Sequence, residues 1–226
     1  HDLPGAPTLG RLIERILVAV PALRRLRLSS LDSVEIDPLL FELLTGEARM
    51  MPHVHLSLQA GDDMILKRMK RRHTRSDAVR LVEQLKAARG EIAIGADIIA
   101  GFPTEDEQMA ANTLALVDDC AIAFGHIFPF SPRQGTPAAR MPQVDPAIAR
   151  ARAARLRDAC AQQLETLKSD MIGTCQMMLV ENDGRSGHAE NFVRLTLDGA
   201  ATPGKILPVT MTDRSGSARV REMASA

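Results

Sequence analysis

The chain has 226 residues, of which 45% are hydrophobic and 25% charged; this excludes a disordered polymer and leaves enough length for one or two packed domains. Its 28 Lys and Arg balance 28 Asp and Glu, so no global field argues for nucleic acid, and any such surface must be local. No apolar run reaches the roughly 18 residues of a membrane span, and aromatic residues are only 3%, with neither Trp nor Tyr, so aromatic base-stacking platforms are scarce.

The chain opens on His1, shows no signal or transit pattern, and reads as a fragment or processed piece. Apolar residues at Leu9, Leu12, Ile13, Ile16, Leu17 and Val20 follow helical spacing after a capping Thr8, predicting an amphipathic helix over residues 9–20 that Pro21 ends. Leu26 and Leu28 alternate with Arg25 and Arg27 as a short strand running into Ser29 and Ser30. Asp37 and Pro38 open a helix that Gly46 closes.

After Pro52, HVHLSLQ reads as a strand ending at Gln59, Ala60 and Gly61. His53 and His55 share one face of it; a metal pair there would need a third ligand that the linear sequence does not supply, so no metal site is expected. Asp62 and Asp63 start a helix running into LKRMKRRHTR, where Lys67 to Arg75 holds six Lys or Arg, one His and no acid. The run is either a solvated face or a local phosphate-binding patch. Ser76 is expected to cap the next helix, with Ala78, Leu81, Val82, Leu85 and Ala88 on one face and Gly90 at its end.

The stretch IAIGADIIAGFPTEDE, from Ile92 to Glu107, reads as a buried strand with one acid, Asp97, then a glycine turn, then a helix capped by Thr104 with Glu107 at capping-box spacing. Another strand, Ala123 to Phe130, leads into the proline-rich loop SPRQGTPAARMPQ. Asp145 and Pro146 begin a helix reaching about Met171. Strands recurring every 30 to 40 residues with helices between them describe a parallel βα repeat, whose ligands sit at the carboxyl ends of the strands. After Gly173 the pattern changes. Met177–Val180, Phe192–Leu197 and Ile206–Met211 read as short strands, separated by the turn sequences NDGRSG, LDGA and TPG. The expected division is residues 1–166, a partial βα barrel, and 167–226, a small all-β module with seven basic and seven acidic residues from Lys168 onward. Cys120, Cys160 and Cys175 are too widely spaced for a cluster motif, and each is read as a small core residue.

Three of these segments, HVHLSLQAGDDMILKRMKRRHTR, GADIIAGFPTEDE and FPFSPRQGTPAARM, resemble successive strand-end motifs of the radical S-adenosylmethionine methylthiotransferases. RLRLSSLDSVEID and HIFPFSPRQGTPAARMPQV resemble more narrowly the branch acting on threonylcarbamoyladenosine in tRNA. The resemblance covers essentially the whole chain and implies a TIM-like partial barrel followed by a TRAM-like, RNA-contacting module. It implies a cytoplasmic enzyme that adds a methylthio group to C2 of threonylcarbamoyladenosine beside the anticodon, with tRNA as substrate and a flavodoxin or ferredoxin as reductant. It also implies S-adenosylmethionine and two 4Fe-4S clusters in the full-length enzyme. The family's CxxxCxxC motif and its preceding cysteine-bearing domain are absent here, so the fragment alone is expected to hold neither cluster and to be inactive.

Carried onto this sequence, the family pattern implies cofactor contacts from Ser57, Gln59, Arg71, Asp97, Gly101, Phe102, Pro103 and Ser131, and RNA contacts from Lys70, Arg72 and Arg133. Gln59 stands in an LQSG-type turn in which Ala60 replaces the usual serine. A ribosomal-protein methylthiotransferase and a non-catalytic RNA-binding module remain as alternatives.

Overall fold

The computed structural model describes residues 5–221. The chain divides into two compact units between Gln163 and Leu164.

The first unit is a four-stranded parallel sheet in sequential order, β1 (Leu26–Leu31), β2 (Met50–Gln59), β3 (Ala93–Ala100) and β4 (Ile122–Pro129). Helix α1 (Leu9–Ala19) precedes it, capped by Thr8 as expected. Helix α2 (Pro38–Gly46) links β1 to β2, α3 (Asp63–Arg68) and α4 (Arg75–Ala88) link β2 to β3, and α5 (Glu107–Asp119) links β3 to β4. Sequential parallel strands joined by helices are the arrangement of a barrel segment. One face of the sheet carries the core: Val54, Leu56, Leu58, Ile94, Ala96, Ile98 and Ile122 are fully buried together with Leu40, Leu85 and Leu116 of the helices. Helix α6 (Pro146–Met171) is preceded by Asp145, whose carboxylate accepts from Ala147 N. Its Cys160 packs on β4 so closely that a Cβ at Gly125 would lie 2.4 Å from Cys160 Sγ.

The faces of β3 and β4 are matched by a bulge. Ile94 pairs with Ile122, yet Gly95 pairs with Phe124, and from there the register runs to Asp97 opposite His126. The extra residue reverses the alternation of β4, bringing Ile127 into the core and turning His126 to the face that carries Asp97.

The second unit is a closed barrel of β5 (Cys175–Val180), β6 (Ser186–His188), β7 (Arg194–Leu197), β8 (Ile206–Met211) and β9 (Ser217–Val220), in the order β5-β6-β7-β9-β8. Met178, Val180, Leu195, Leu197, Val209, Met211 and Ala218 are buried within it.

Several sequence expectations are corrected. Thr74, not Ser76, caps α4, with Asp77 completing a reciprocal capping box, and α3 runs into the basic stretch as far as Arg68. Asp106, not Thr104, caps α5, because Thr104 sits at φ 67° inside the turn. Strand β2 starts at Met50, ahead of Pro52. Phe192 takes φ 76° and stands outside β7; β6 begins within the turn sequence NDGRSG, and β9 was not anticipated. Cys120 and Cys160 are buried, but Cys175 is exposed.

Candidate functional site

The carboxyl ends of β2, β3 and β4 open on a cavity of about 580 Å³ whose wall includes Gln59, Asp97, Ile99, Phe128, Ser131 and Arg133. A second cavity of about 430 Å³ shares Gln59 and Ile99 with it and extends to Lys70, Arg71 and Phe102. Both volumes suit a nucleoside-sized ligand. Gln59 ends β2 at φ 67°, a left-handed conformation that costs a non-glycine residue energy and is characteristic of functional turns.

The turn after β3 is fixed from behind. Gly101, at φ 72°, lies against α6, where a Cβ would come 2.4 Å from that of Ala149. Gly101 N donates to Glu105 Oε1 at 3.0 Å, and Arg152 Nη1 donates to the same oxygen and to the Glu105 carbonyl, each at 3.0 Å. Arg152 Nη2 reaches Glu107 at 3.2 Å. The Glu105 side chain is only 2% exposed. Burial raises its pKa, opposed by the Gly101 amide and the Arg152 charge. Thr104 N donates to Pro142 O, which ties the loop after β4 to this turn, and the rings of Phe102 and Phe130 meet edge-on at 5.2 Å.

The basic stretch is organised around Asp32 at the end of β1. Arg71 Nη2 donates to Asp32 at 3.3 Å and to the Ser57 carbonyl at 2.7 Å; Arg72 lies 3.7 Å from Asp32 and 3.2 Å from Glu35; His73 Nδ1 lies 3.7 Å from Asp32. Arg75 pairs with Asp119, while Lys67 and Lys70 are exposed. Arg71 Nε is buried with no hydrogen-bond partner among the described residues.

On the face of the sheet opposite the core, His55 Nε2 pairs with Asp97 Oδ1 at 3.0 Å, and His126 Nδ1 lies 3.3 Å from the same oxygen. Neighbouring His53 is buried, which with the charges of Arg27, His55 and His126 lowers its pKa to about 3.

Of the anticipated site residues, Gln59, Asp97, Ser131 and Arg133 meet at the first cavity, and Lys70, Arg71 and Phe102 at the second. Ser57 supplies a carbonyl to Arg71, Gly101 and Pro103 are buried in the turn, and Arg72 faces solvent on its acidic partners. Sequence reasoning missed Asp32, Glu105, Arg152 and His126. Asp32 could have been found as an acid directly after a strand end and Glu105 as an acid in the turn after β3, but Arg152 and His126 are placed by packing and by the bulge. The cysteines are not gathered: burial pushes the Cys120 thiol to about 12 and that of Cys160 to about 11, and Cys175 lies in the second unit. These residues do not fit an iron–sulfur cluster, which needs several convergent thiolates.

A family model described as the radical SAM superfamily matches residues 5–117, from α1 through most of α5. The chain belongs to the radical SAM superfamily. Among curated proteins it is 49% identical over 205 residues to the threonylcarbamoyladenosine tRNA methylthiotransferase MtaB of Rickettsia prowazekii, covering 91% of this chain and 48% of that protein. It is 32% identical over 210 residues to the tRNA-2-methylthio-N(6)-dimethylallyladenosine synthase of Neorickettsia sennetsu (92% of this chain, 44% of that protein). The synthase of the same name from Ruegeria pomeroyi is 38% identical over 181 residues (80% and 41%). The chain therefore spans about half the length of the curated relatives it matches. As a radical SAM chain it carries its cavity at the carboxyl ends of its strands, the usual place for ligands in parallel βα folds. Among the described residues no helix is long and apolar enough to cross a membrane.

Proposed function

We propose that this chain is the S-adenosylmethionine-binding and RNA-facing part of a tRNA methylthiotransferase that modifies C2 of threonylcarbamoyladenosine next to the anticodon. The observation that carries the reading is the convergence on one cavity of Gln59 at the end of β2, Asp97 within β3 and Ser131 just after β4. The 49% identity to a relative named for that nucleoside favours it over dimethylallyladenosine.

The residues fit the cofactor. Arg71 lines the second cavity and keeps a buried Nε donor without a partner among the described residues, which a ligand carboxylate would satisfy. Gln59 and Ser131 offer an amide and a hydroxyl for ribose hydroxyls, and Phe102 an apolar wall for adenine. Asp97 would accept from a ligand hydroxyl as well as from His55. When bound with a cluster, S-adenosylmethionine supplies the radical chemistry; this chain's own residues bind and orient it. The cluster ligands belong to the rest of the whole enzyme, as does its docking of a reductant such as flavodoxin or ferredoxin. In this reading the enzyme works in the cytoplasm, Lys70 and Arg133 at the rim meet tRNA phosphates, and the five-stranded barrel is a TRAM-like RNA contact.

The coding sequence upstream of His1 is the first test. A CxxxCxxC triad there is expected; an upstream reading frame without one removes the enzyme and leaves an RNA-binding module.

A further inference from the structure

We propose that His55, Asp97 and His126 form a binding site for a divalent transition cation of the zinc type on the face of the parallel sheet opposite the core. One ligand atom from each side chain lies within 4.8 Å of the other two. The separations from Asp97 Oδ1, 3.0 Å to His55 Nε2 and 3.3 Å to His126 Nδ1, match the roughly 3.3 Å expected between ligand atoms that surround a tetrahedral ion at about 2.0–2.1 Å. The two imidazole rings are 4.5 Å apart and tilted by 41°, so both present a nitrogen to the same oxygen.

The three side chains come from three adjacent strands and are held to different degrees. His55 is 6% exposed, with its ring in the space left by Gly95; Asp97 is 20% exposed; His126 is 65% exposed. Asp97 also lines the larger cavity, so a cation held here would keep an open coordination position toward it, the layout of three protein ligands plus water or substrate oxygen. Two imidazoles and one carboxylate form a nitrogen and oxygen donor set suited to zinc, cobalt or ferrous iron, and unlike the thiolate set of an iron–sulfur cluster. The site goes beyond the tRNA reading and does not depend on it.

The test uses the whole untagged chain carrying Cys175→Ser, which removes the exposed thiol as a competing ligand. Titration with Co2+ is expected to give visible d–d bands that saturate at one equivalent and disappear when Zn2+ is added. Asp97→Asn and His126→Ala are each expected to weaken binding by about 100-fold or more. His188→Ala, in the other unit, should leave it unchanged. Circular dichroism verifies folding, and exposed His126 keeps the test valid if the Asp97 variant is unstable. Zn2+ should raise the melting temperature of the parent and not of His126→Ala. Absence of a saturable site, or a site that survives both ligand substitutions, overturns the proposal and leaves a hydrogen-bonded His–Asp–His cluster.

Discussion

His55 reaches Asp97 because residue 95, its register partner on β3, has no side chain: a Cβ at Gly95 would lie 2.5 Å from His55 Nδ1. A strand glycine usually weakens a sheet, and this one is explained by the ring that occupies its space. Gly95→Ala should push the imidazole off Asp97 and cost about 1–3 kcal/mol, as overpacking of a buried site does. Urea denaturation checks the cost and the histidine NMR spectrum checks the contact; a variant with parental stability and an unmoved His55 would refute the packing argument.

The Glu105 and Arg152 pair is nearly closed to solvent, with side chains 2% and 9% exposed. Arg152→Ala should therefore destabilise the first unit by about 3–5 kcal/mol, since it strands a buried carboxylate. Burial already raises the Glu105 pKa, and loss of Arg152 raises it further. A folded-state pKa above the unfolded one means the penalty applies at neutral pH and shrinks as acid protonates Glu105. Denaturation of the parent and Arg152→Ala at pH 7 and pH 5 should show a smaller gap at the lower pH.

Lys70 is exposed beside the second cavity at φ 57°, whereas Arg72 is already paired with Glu35. Replacing Lys70 by Gln should flatten the dependence of tRNA affinity on log salt by about 0.7–0.9, the value for one lost phosphate contact, and replacing Arg72 should change it less. Filter binding across a salt series checks this. Equal slopes for the parent and the Lys70 variant would make the stretch a solvated face.

Asp183 orders the turn between β5 and β6. Its carboxylate accepts from Ser186 N at 2.8 Å, Ser186 Oγ at 2.7 Å and Arg185 N at 2.9 Å, and these bonds lower its pKa from 3.8 to about 2. Stabilisation from a depressed carboxyl is complete above pH 3.8 and is lost as pH falls through about 2. Asp183→Asn should be less stable than the parent at pH 5, with the difference narrowing toward pH 2. A difference independent of pH would contradict the assignment.

Element order in the first unit was legible because local signals agree there: Thr8, Asp37 with Pro38, and Asp145 with Pro146 mark helix starts in sequence and in space. Thr104 misled because the capping-box spacing to Glu107 is present while the turn forces it to φ 67° and passes the cap to Asp106. His126 was illegible for a different reason. Counted in twos from Ile122 it falls on the core side, and only the bulge after Ile122 turns it to meet Asp97. Asp97 itself was visible as a lone acid in an apolar strand, but its partners lie 42 and 29 positions away in the chain.

The most direct test of the proposed function is mass spectrometry of tRNA nucleosides from cells with and without the intact gene. Disruption should remove the methylthio group from threonylcarbamoyladenosine and leave unmodified threonylcarbamoyladenosine in its place. An unchanged nucleoside, with the methylthio group missing instead from a ribosomal protein, would contradict a role in tRNA modification.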